Sequence, residues 1–338
     1  MKQKNDTIFL ALSFVVTVGL VGGLWWLAQR SGLFPATLPG TSPAATNGFA
    51  KVQNVPSGLF NYGGSTTWAP IRRDVDSVIQ SAYPNLQLRY TDPIAGAPGS
   101  GAGIRMLLAN QLTFSHSSRS LQDQEYQQAQ QRGFSLKEIP VAIDGIAIAV
   151  NPALNIPGLT VAQLKDIYTS KLVNWSQVGG PNLAITPYSR RKQDAGTIEF
   201  FVENVLEEQE FGNTVKFVST TTDALRKVAV NPGAVYYASA PEVVDQCTTK
   251  SVPLGRKANE LVPPYQEPMV PPSACPGQRN QLNANAFQSG QYPITRRLFV
   301  IVKQNGLIDQ QAGEAYANLL LTDQGQELIA KAGFVRIR

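Results

Sequence analysis

Hydrophobic and polar positions divide the chain into an unbroken apolar run, a stretch of small residues and a long alternating body. Ile8 to Ala28 is a run of 21 residues without charge, preceded by Lys2 and Lys4. As a helix it extends about 30 Å, the thickness of a bilayer core. Positive charge ahead of it keeps the N-terminus cytoplasmic and sends the remainder across. Trp25, Trp26 and Leu27 stand where a cleavable signal carries small residues. The pattern favours an uncleaved membrane anchor over residues 1–31, with a cleaved signal segment as the other reading. Residues 32–54, rich in Pro, Ala, Thr, Ser and Gly, read as a linker.

Beyond the linker, apolar runs and helical periods alternate. Leu86–Tyr90, Ile139–Val150, Val215–Val218 and Arg297–Lys303 read as strands. Trp68, Ile71, Val75, Val78, Ile79 and Ala82 recur at helical steps. So do Val161, Leu164, Ile167 and Tyr168, with Thr160 as N-cap, and Ile198, Phe201, Val202, Val205 and Leu206. A helix over Gln310–Ala332, stopped by Gly333, precedes a last short strand, Phe334–Ile337. Such alternation predicts α/β architecture with mostly parallel sheets. The polar, Pro-rich stretch Pro253–Tyr292 reads as a surface insertion.

Composition narrows the chemistry. A length of 338 residues exceeds one ordinary core and points to two domains. The charged fraction of 16% argues against a disordered polyelectrolyte or a long coiled coil, and 43% hydrophobic residues against a polytopic membrane protein. The net charge of +5 is too mild to indicate nucleic-acid binding but suits a small anion. The only histidine, His116, excludes a multi-histidine metal site and reads as structural or exposed. Cys247 and Cys275 lie 28 positions apart inside a Pro-rich stretch. Outside the cytosol they close a loop as a disulfide; inside it they stay reduced.

Three helix starts share one design. Asn61-Tyr62-Gly63-Gly64-Ser65-Thr66-Thr67, Gly96-Ala97-Pro98-Gly99-Ser100-Gly101 and Arg190-Arg191-Lys192-Gln193-Asp194-Ala195-Gly196-Thr197 each put small or hydroxyl residues where a helix begins. A helix start carries unpaired N–H groups and the positive end of the dipole. Glycine admits an anion close to that backbone, and hydroxyls donate to its oxygens. Each feature alone is an ordinary cap or turn; three of them, one beside an arginine pair, point to an oxyanion site. A fourth segment, Phe114-Ser115-His116-Ser117-Ser118-Arg119, ends in a polar turn where Ser118 and Arg119 face the same ligand. Arg119 and Arg191 offer forked donors suited to a tetrahedral anion. Neither GxxxxGK[ST] nor GxGxxG is present.

With these motifs the chain resembles the periplasmic phosphate-binding proteins of ABC transporters, the PstS group, and within it the SphX-like branch. The carriers are Tyr62-Gly63-Gly64-Ser65-Thr66-Thr67-Trp68-Ala69-Pro70, Gly99-Ser100-Gly101-Ala102-Gly103 and Ser117-Ser118-Arg119. Ile139 to Ala147, Leu159 to Leu164, Asn174 to Gly180, Gly233 to Tyr237 and Tyr292-Pro293-Ile294-Thr295-Arg296 follow in family order. The resemblance implies a two-domain periplasmic-binding-protein fold of type II, joined by two hinge strands. Domain I comprises 55–145 and 302–338, and domain II 146–301. It implies binding of inorganic phosphate and delivery to ABC permease subunits, from a periplasmic position attached to the membrane by the N-terminal helix. By motif position Thr66, Thr67 and Ser100 donate to the ligand, Arg191 supplies the main charge, and Gly196 and Thr197 close the far side. Ser65, Ser118 and Arg119 complete the candidate set.

Two positions depart from the family. Ala195 replaces a serine, removing one donor, and Ser118 stands where some members carry an aspartate that accepts a hydrogen bond from protonated phosphate. Asp194 is positioned either to replace that acceptor or to orient Arg191. No cofactor and no catalysis are expected: there is no metal cluster, no Ser-His-Asp ordering and no pair of catalytic carboxylates, which argues against a phosphatase. A tethered oxyanion sensor or reservoir, or a binder of another tetrahedral anion, is the alternative.

Overall fold

The computed structural model describes residues 48–191 and 196–337. The expected anchor and the linker up to residue 47 lie outside the described residues. Among the described residues no helix is long and apolar enough to cross a membrane. The end of the expected linker is not a free tether. Phe49 begins the 3-10 turn Phe49–Lys51 and is buried in the first core, and its carbonyl accepts a 2.7 Å hydrogen bond from Tyr83 Oη. Val52 packs against the same core, so two apolar side chains dock the end of this stretch.

The first half runs β1 (Gly58–Gly64), α1 (66–82), β2 (Leu86–Tyr90), α2 (Ser100–Leu108), β3 (Phe114–Ser117), α3 (Asp123–Gln131) and β4 (Ser135–Val150). The second runs β5 (Leu159–Thr160), α4 (Val161–Tyr168), β6 (Thr186–Ser189), α5 (Gly196–Asn204), β7 (Lys216–Phe217), α6 (Thr221–Val230), β8 (Ala234–Ser239), α7 (Ala240–Val243), β9 (Lys250–Val252), β10 (Leu254–Gly255) and α8 (Ala284–Gln288). The chain then returns through β11 (Thr295–Gln304), α9 (Ile308–Leu320), α10 (Asp323–Lys331) and β12 (Val335–Arg336).

The strands line up as β2-β1-β3-β11-β4-β8-β6-β7, with β9 and β12 also on β4 and a separate β5–β10 pair. The long strand β4 belongs to both halves. Ser135 to Gly145 pairs antiparallel with β11, and Ile146 to Val150 pairs antiparallel with β8. The sheets are therefore mixed rather than mostly parallel. The βα units β1–β2, β1–β3 and β6–β8 are parallel as their crossover helices require, while the strands that tie the halves together run antiparallel.

Each half has its own core, giving two α/β domains. In the first, Trp68, Ile71, Val75 and Ile79 of α1 pack with Val300, Val302 and Tyr316. Val78 is half-buried against the same core, whereas Ala82, expected on the same face, is exposed. In the second, Ile146 to Val150 pack with Tyr168, Phe201, Val235 and Tyr237. The C-terminal helix expected over Gln310–Ala332 is two helices. Thr322 interrupts it by capping α10, its Oγ1 accepting from Gly325 N at 3.0 Å. Cys247 and Cys275 are joined by a disulfide that ties the middle of the Pro-rich insertion to the segment just before it. That insertion is anchored by α8, whose Phe287 ring occupies the space a Cβ on Gly145 would need, 1.8 Å away. Any side chain at 145 would push the insertion off β4.

Candidate functional site

The end of β1 is held unusually close to its neighbours. Gly64 has φ +121°, and a Cβ there would lie 2.2 Å from the His116 carbonyl oxygen. A Cβ on Gly103 would lie 2.4 Å from Gly64 Cα. Glycines thus let β1, β3 and the first turn of α2 converge. Ser65 N donates to His116 O at 2.9 Å, and the Ser65 hydroxyl donates to Ser118 Oγ at 3.0 Å. Ser100, in the first turn of α2, accepts from Ser118 N at 3.1 Å, and its Oγ lies 3.2 Å from Ser118 Oγ. Ser65, Ser100 and Ser118 have no exposed surface.

The start of α5 meets this serine cluster from the second domain. A methyl on Gly196 would sit 2.9 Å from Ser118 Oγ and 3.0 Å from Ser100 Oγ. Thr197 Oγ1 lies 3.3 Å from Thr67 Oγ1. Both threonine oxygens accept from Arg296 Nη2, at 3.0 Å for Thr67 and 2.8 Å for Thr197. Arg296 Nη1 also donates to the Gly196 carbonyl at 3.3 Å. The arginine is fixed by Asp144, whose Oδ2 accepts from Nε at 3.0 Å and Nη2 at 2.8 Å, while Ser239 Oγ donates to Oδ1 at 2.6 Å. One guanidinium, rooted in the strand pair β4–β11, therefore touches the helix starts of both domains.

Beside this junction is a cavity of about 180 Å³ bordered by Thr66, Thr67, Arg190, Thr197, Tyr236 and Glu242. It is large enough for several water molecules. The Glu242 carboxyl is pushed up from its ordinary range by burial and by the charge of Asp144, against a Thr221 hydrogen bond and the charges of Arg190 and Arg296. Burial likewise pushes the Tyr236 phenol up to about 12.

Seven of the nine expected residues meet at this junction: Ser65, Thr66, Thr67, Ser100, Ser118, Gly196 and Thr197. Of the two expected arginines, Arg119 is engaged by carboxylates and Arg191 stands at the edge of the junction. Arg119 donates to both oxygens of Glu125, at 2.8 and 3.0 Å, and its Nε lies 3.8 Å from Glu199. Burial alone lowers its pKa, but these carboxylates outweigh burial and hold the guanidinium above its ordinary value. Arg191 is exposed, lies 5.6 Å over the Phe217 ring and borders a second cavity with Thr66 and Arg190; Arg190 also lines the first cavity. Asp194 and Ala195 lie outside the described residues. His116 is structural, stacked on Trp68 at a centroid distance of 3.9 Å. Burial and the charge of Arg72 push its protonation well below the usual histidine range. Among the described residues no group of His, Cys, Asp and Glu is arranged to hold a metal.

Sequence reasoning missed Arg190, Glu242, Asp144 and Arg296. The last two carried a signal: each is a charge inside an apolar strand, and such charges are buried only when paired.

Two α/β domains joined through shared strands, with helix starts of both facing one junction, define a two-domain periplasmic-binding-protein fold. Residues 42–324 match the family described as the PBP superfamily domain, and the chain belongs to that superfamily. It is 26% identical over 275 residues to the phosphate-binding protein PstS of Staphylococcus epidermidis, covering 80% of this chain and 77% of that protein. Among solved structures, a phosphate ABC transporter substrate-binding protein from Clostridium perfringens with bound phosphate is similar at TM-score 0.64 and 22% identity, over 83% of this chain and 100% of that one. An ABC-type phosphate transport receptor from Vibrio cholerae is similar at TM-score 0.62 and 23% identity, over 82% of this chain and 99% of that one. These likenesses establish the fold.

Proposed function

We propose that this protein binds inorganic phosphate at the junction of its two domains and releases it to an ABC permease outside the cytoplasmic membrane. The carrying observation is convergence: the starts of α1, α2 and α5 bring Thr66, Thr67, Ser100, Ser118, Gly196 and Thr197 together beside Arg190 and Arg296. Helix starts supply N–H groups and positive potential, hydroxyls supply directed donors, and arginines supply charge. Relatives named for phosphate binding and phosphate transport support the same ligand. The motif order supports membership of the SphX-like branch.

In this reading domain I comprises 55–145 and 302–338, domain II comprises 146–301, and β4 and β11 are the hinge. The domains part to admit phosphate and close to strip its water, so affinity comes from charge-assisted hydrogen bonds in a dry site. No bond is made or broken. The apolar segment Ile8–Ala28 exports the domain and holds it at the membrane face. Titration calorimetry with phosphate on the purified protein tests the proposal. Saturable heat at micromolar protein supports it, and absence of binding overturns it.

A further inference from the structure

We infer that Arg119 is a positioning residue of the bound state: it latches the turn after β3 to helix α5 and so holds the two domains closed over the ligand without touching it. The inference rests on the phosphate reading above and goes beyond it, to what retains the ligand once the domains have met.

Both ends of the latch stand next to the cradle. Arg119 follows Ser118 directly, and Glu199 comes two positions after Thr197 in α5. Movement that brings Gly196 and Thr197 onto Ser118 and Thr67 therefore brings Glu199 onto Arg119. The arginine is set in place by its own domain. Its Nη1 and Nη2 donate to the two oxygens of Glu125 at 3.0 and 2.8 Å, and Nη1 also donates to the Ser120 carbonyl at 2.8 Å. Glu125 in turn accepts from Gln122 N at 2.8 Å. A guanidinium fixed in this way loses little rotamer freedom when a further partner arrives.

One donor of that guanidinium is left over. Nε is buried and, among the described residues, has no hydrogen-bond partner. The carboxylate in reach of it is Glu199 of the other domain, at 3.8 Å. That distance is within ion-pair range and about 0.8 Å longer than a hydrogen bond. A buried N–H without an acceptor costs free energy. Tightening of α5 onto the β3 turn removes the cost by making the contact a charge-assisted hydrogen bond. Glu203, one helical turn beyond Glu199, adds its field to the same guanidinium. The Glu199 side chain is 27% exposed and that of Arg119 8%. Parting of the domains therefore returns the carboxylate to water and leaves the arginine on Glu125. The pair contributes to the closed state and not to the open one, which is the condition for a contact to shift the balance between them.

The test is stopped-flow measurement of phosphate association and dissociation on the wild-type protein and on Glu199→Gln, with Arg119→Gln and the double variant completing a cycle. Glu199→Gln keeps length and shape, removes the charge and leaves Arg119 on Glu125. Two accounts of Glu199 predict opposite signs. A bystander carboxylate this close to the cradle repels the anion, so neutralising it should slow dissociation and tighten binding. For a latch, its loss should speed dissociation about five- to tenfold, with the association rate changed by less than about twofold. A residue that merely braces the fold would lower the phosphate-free unfolding midpoint and leave the dissociation rate alone. Arg119→Gln should also speed dissociation, and the double variant should add nothing to it. Dissociation from Glu199→Gln that is unchanged or slower overturns the inference and leaves the phosphate reading standing. Absence of phosphate binding by the wild-type protein overturns that reading, and this inference with it. The Glu199→Gln result decides the matter even where Arg119→Gln, which strips Glu125 of its partner, does not fold.

Discussion

Arg296 and Asp144 stand 152 positions apart and meet as an ion pair of 2.8 Å, with side chains 2% and 0% exposed. Arg296 lies on β11 and Asp144 on β4, at the step where β4 passes from one domain to the other. A pair buried this deeply is costly to break on one side only, because the remaining charge keeps its desolvation penalty. Arg296→Ala is expected to lose about 3–5 kcal/mol of unfolding free energy. Arg296→Gln combined with Asp144→Asn should recover most of that loss, since both partners become neutral. Urea unfolding of the three proteins measures this. Equal stability of the single and double variants would show that the charge pairing is not what holds the strands.

The two adjacent arginines should separate cleanly. Arg190 lines the cavity with Thr66 and Thr197, whereas Arg191 is exposed over Phe217. Arg190→Ala is expected to weaken phosphate binding by about 2–3 kcal/mol, the worth of a charge-assisted hydrogen bond in a dry site. Arg191→Ala should change it by less than about 1 kcal/mol. Calorimetric dissociation constants for both variants decide between them, and a larger effect at 191 would reverse the assignment.

Gly196→Ala tests the closeness of the domains. Its methyl would lie 2.9 Å from Ser118 Oγ and 3.0 Å from Ser100 Oγ, with no left-handed backbone conformation to strain. The serine hydroxyls must yield, so phosphate affinity should fall by about tenfold or more while the thermal midpoint shifts little. Unchanged affinity would show that α5 stands clear of the serine cluster when ligand is bound.

Asp76 makes a prediction about pH. Burial lifts its carboxyl to about 6, against hydrogen bonds from Tyr62 and Tyr316 and the charge of Arg72. The folded protein then holds this proton more tightly than the unfolded chain, whose aspartates titrate near about 3.9. The stability contributed by this group is fully present below about pH 4 and is lost as pH rises through about 6. Asp76→Asn should flatten the stability profile over that window, by up to about 3 kcal/mol relative to wild type. Parallel profiles for the two proteins would remove Asp76 as the titrating group.

Much of this architecture is written in local pattern. The buried face Trp68, Ile71, Val75 and Ile79 follows from helical period, and the long apolar run at Ile139–Val150 marks β4. The glycine and hydroxyl residues at three helix starts marked six of the seven residues that meet at the junction, and the polar turn after β3 marked Ser118, because capping and turn chemistry are local. What was not legible depended on distance and parity. Asp144 and Arg296 are recognisable as partners only once β4 and β11 are paired in register. Arg190 and Arg191 follow β6 directly, and composition does not say that Arg190 also reaches the cavity beside Thr197. Arg119 has the right chemistry for an anion, but Glu125, six positions on, supplies the carboxylate it meets. The break at Thr322 was hidden because apolar positions continue in period across it.

The most direct measurement is a crystal structure of the protein grown with phosphate. The account predicts tetrahedral density at the domain junction, within hydrogen-bond distance of Thr66, Thr67, Thr197 and Arg190. Density elsewhere, or a junction without phosphate at saturating concentration, would contradict it.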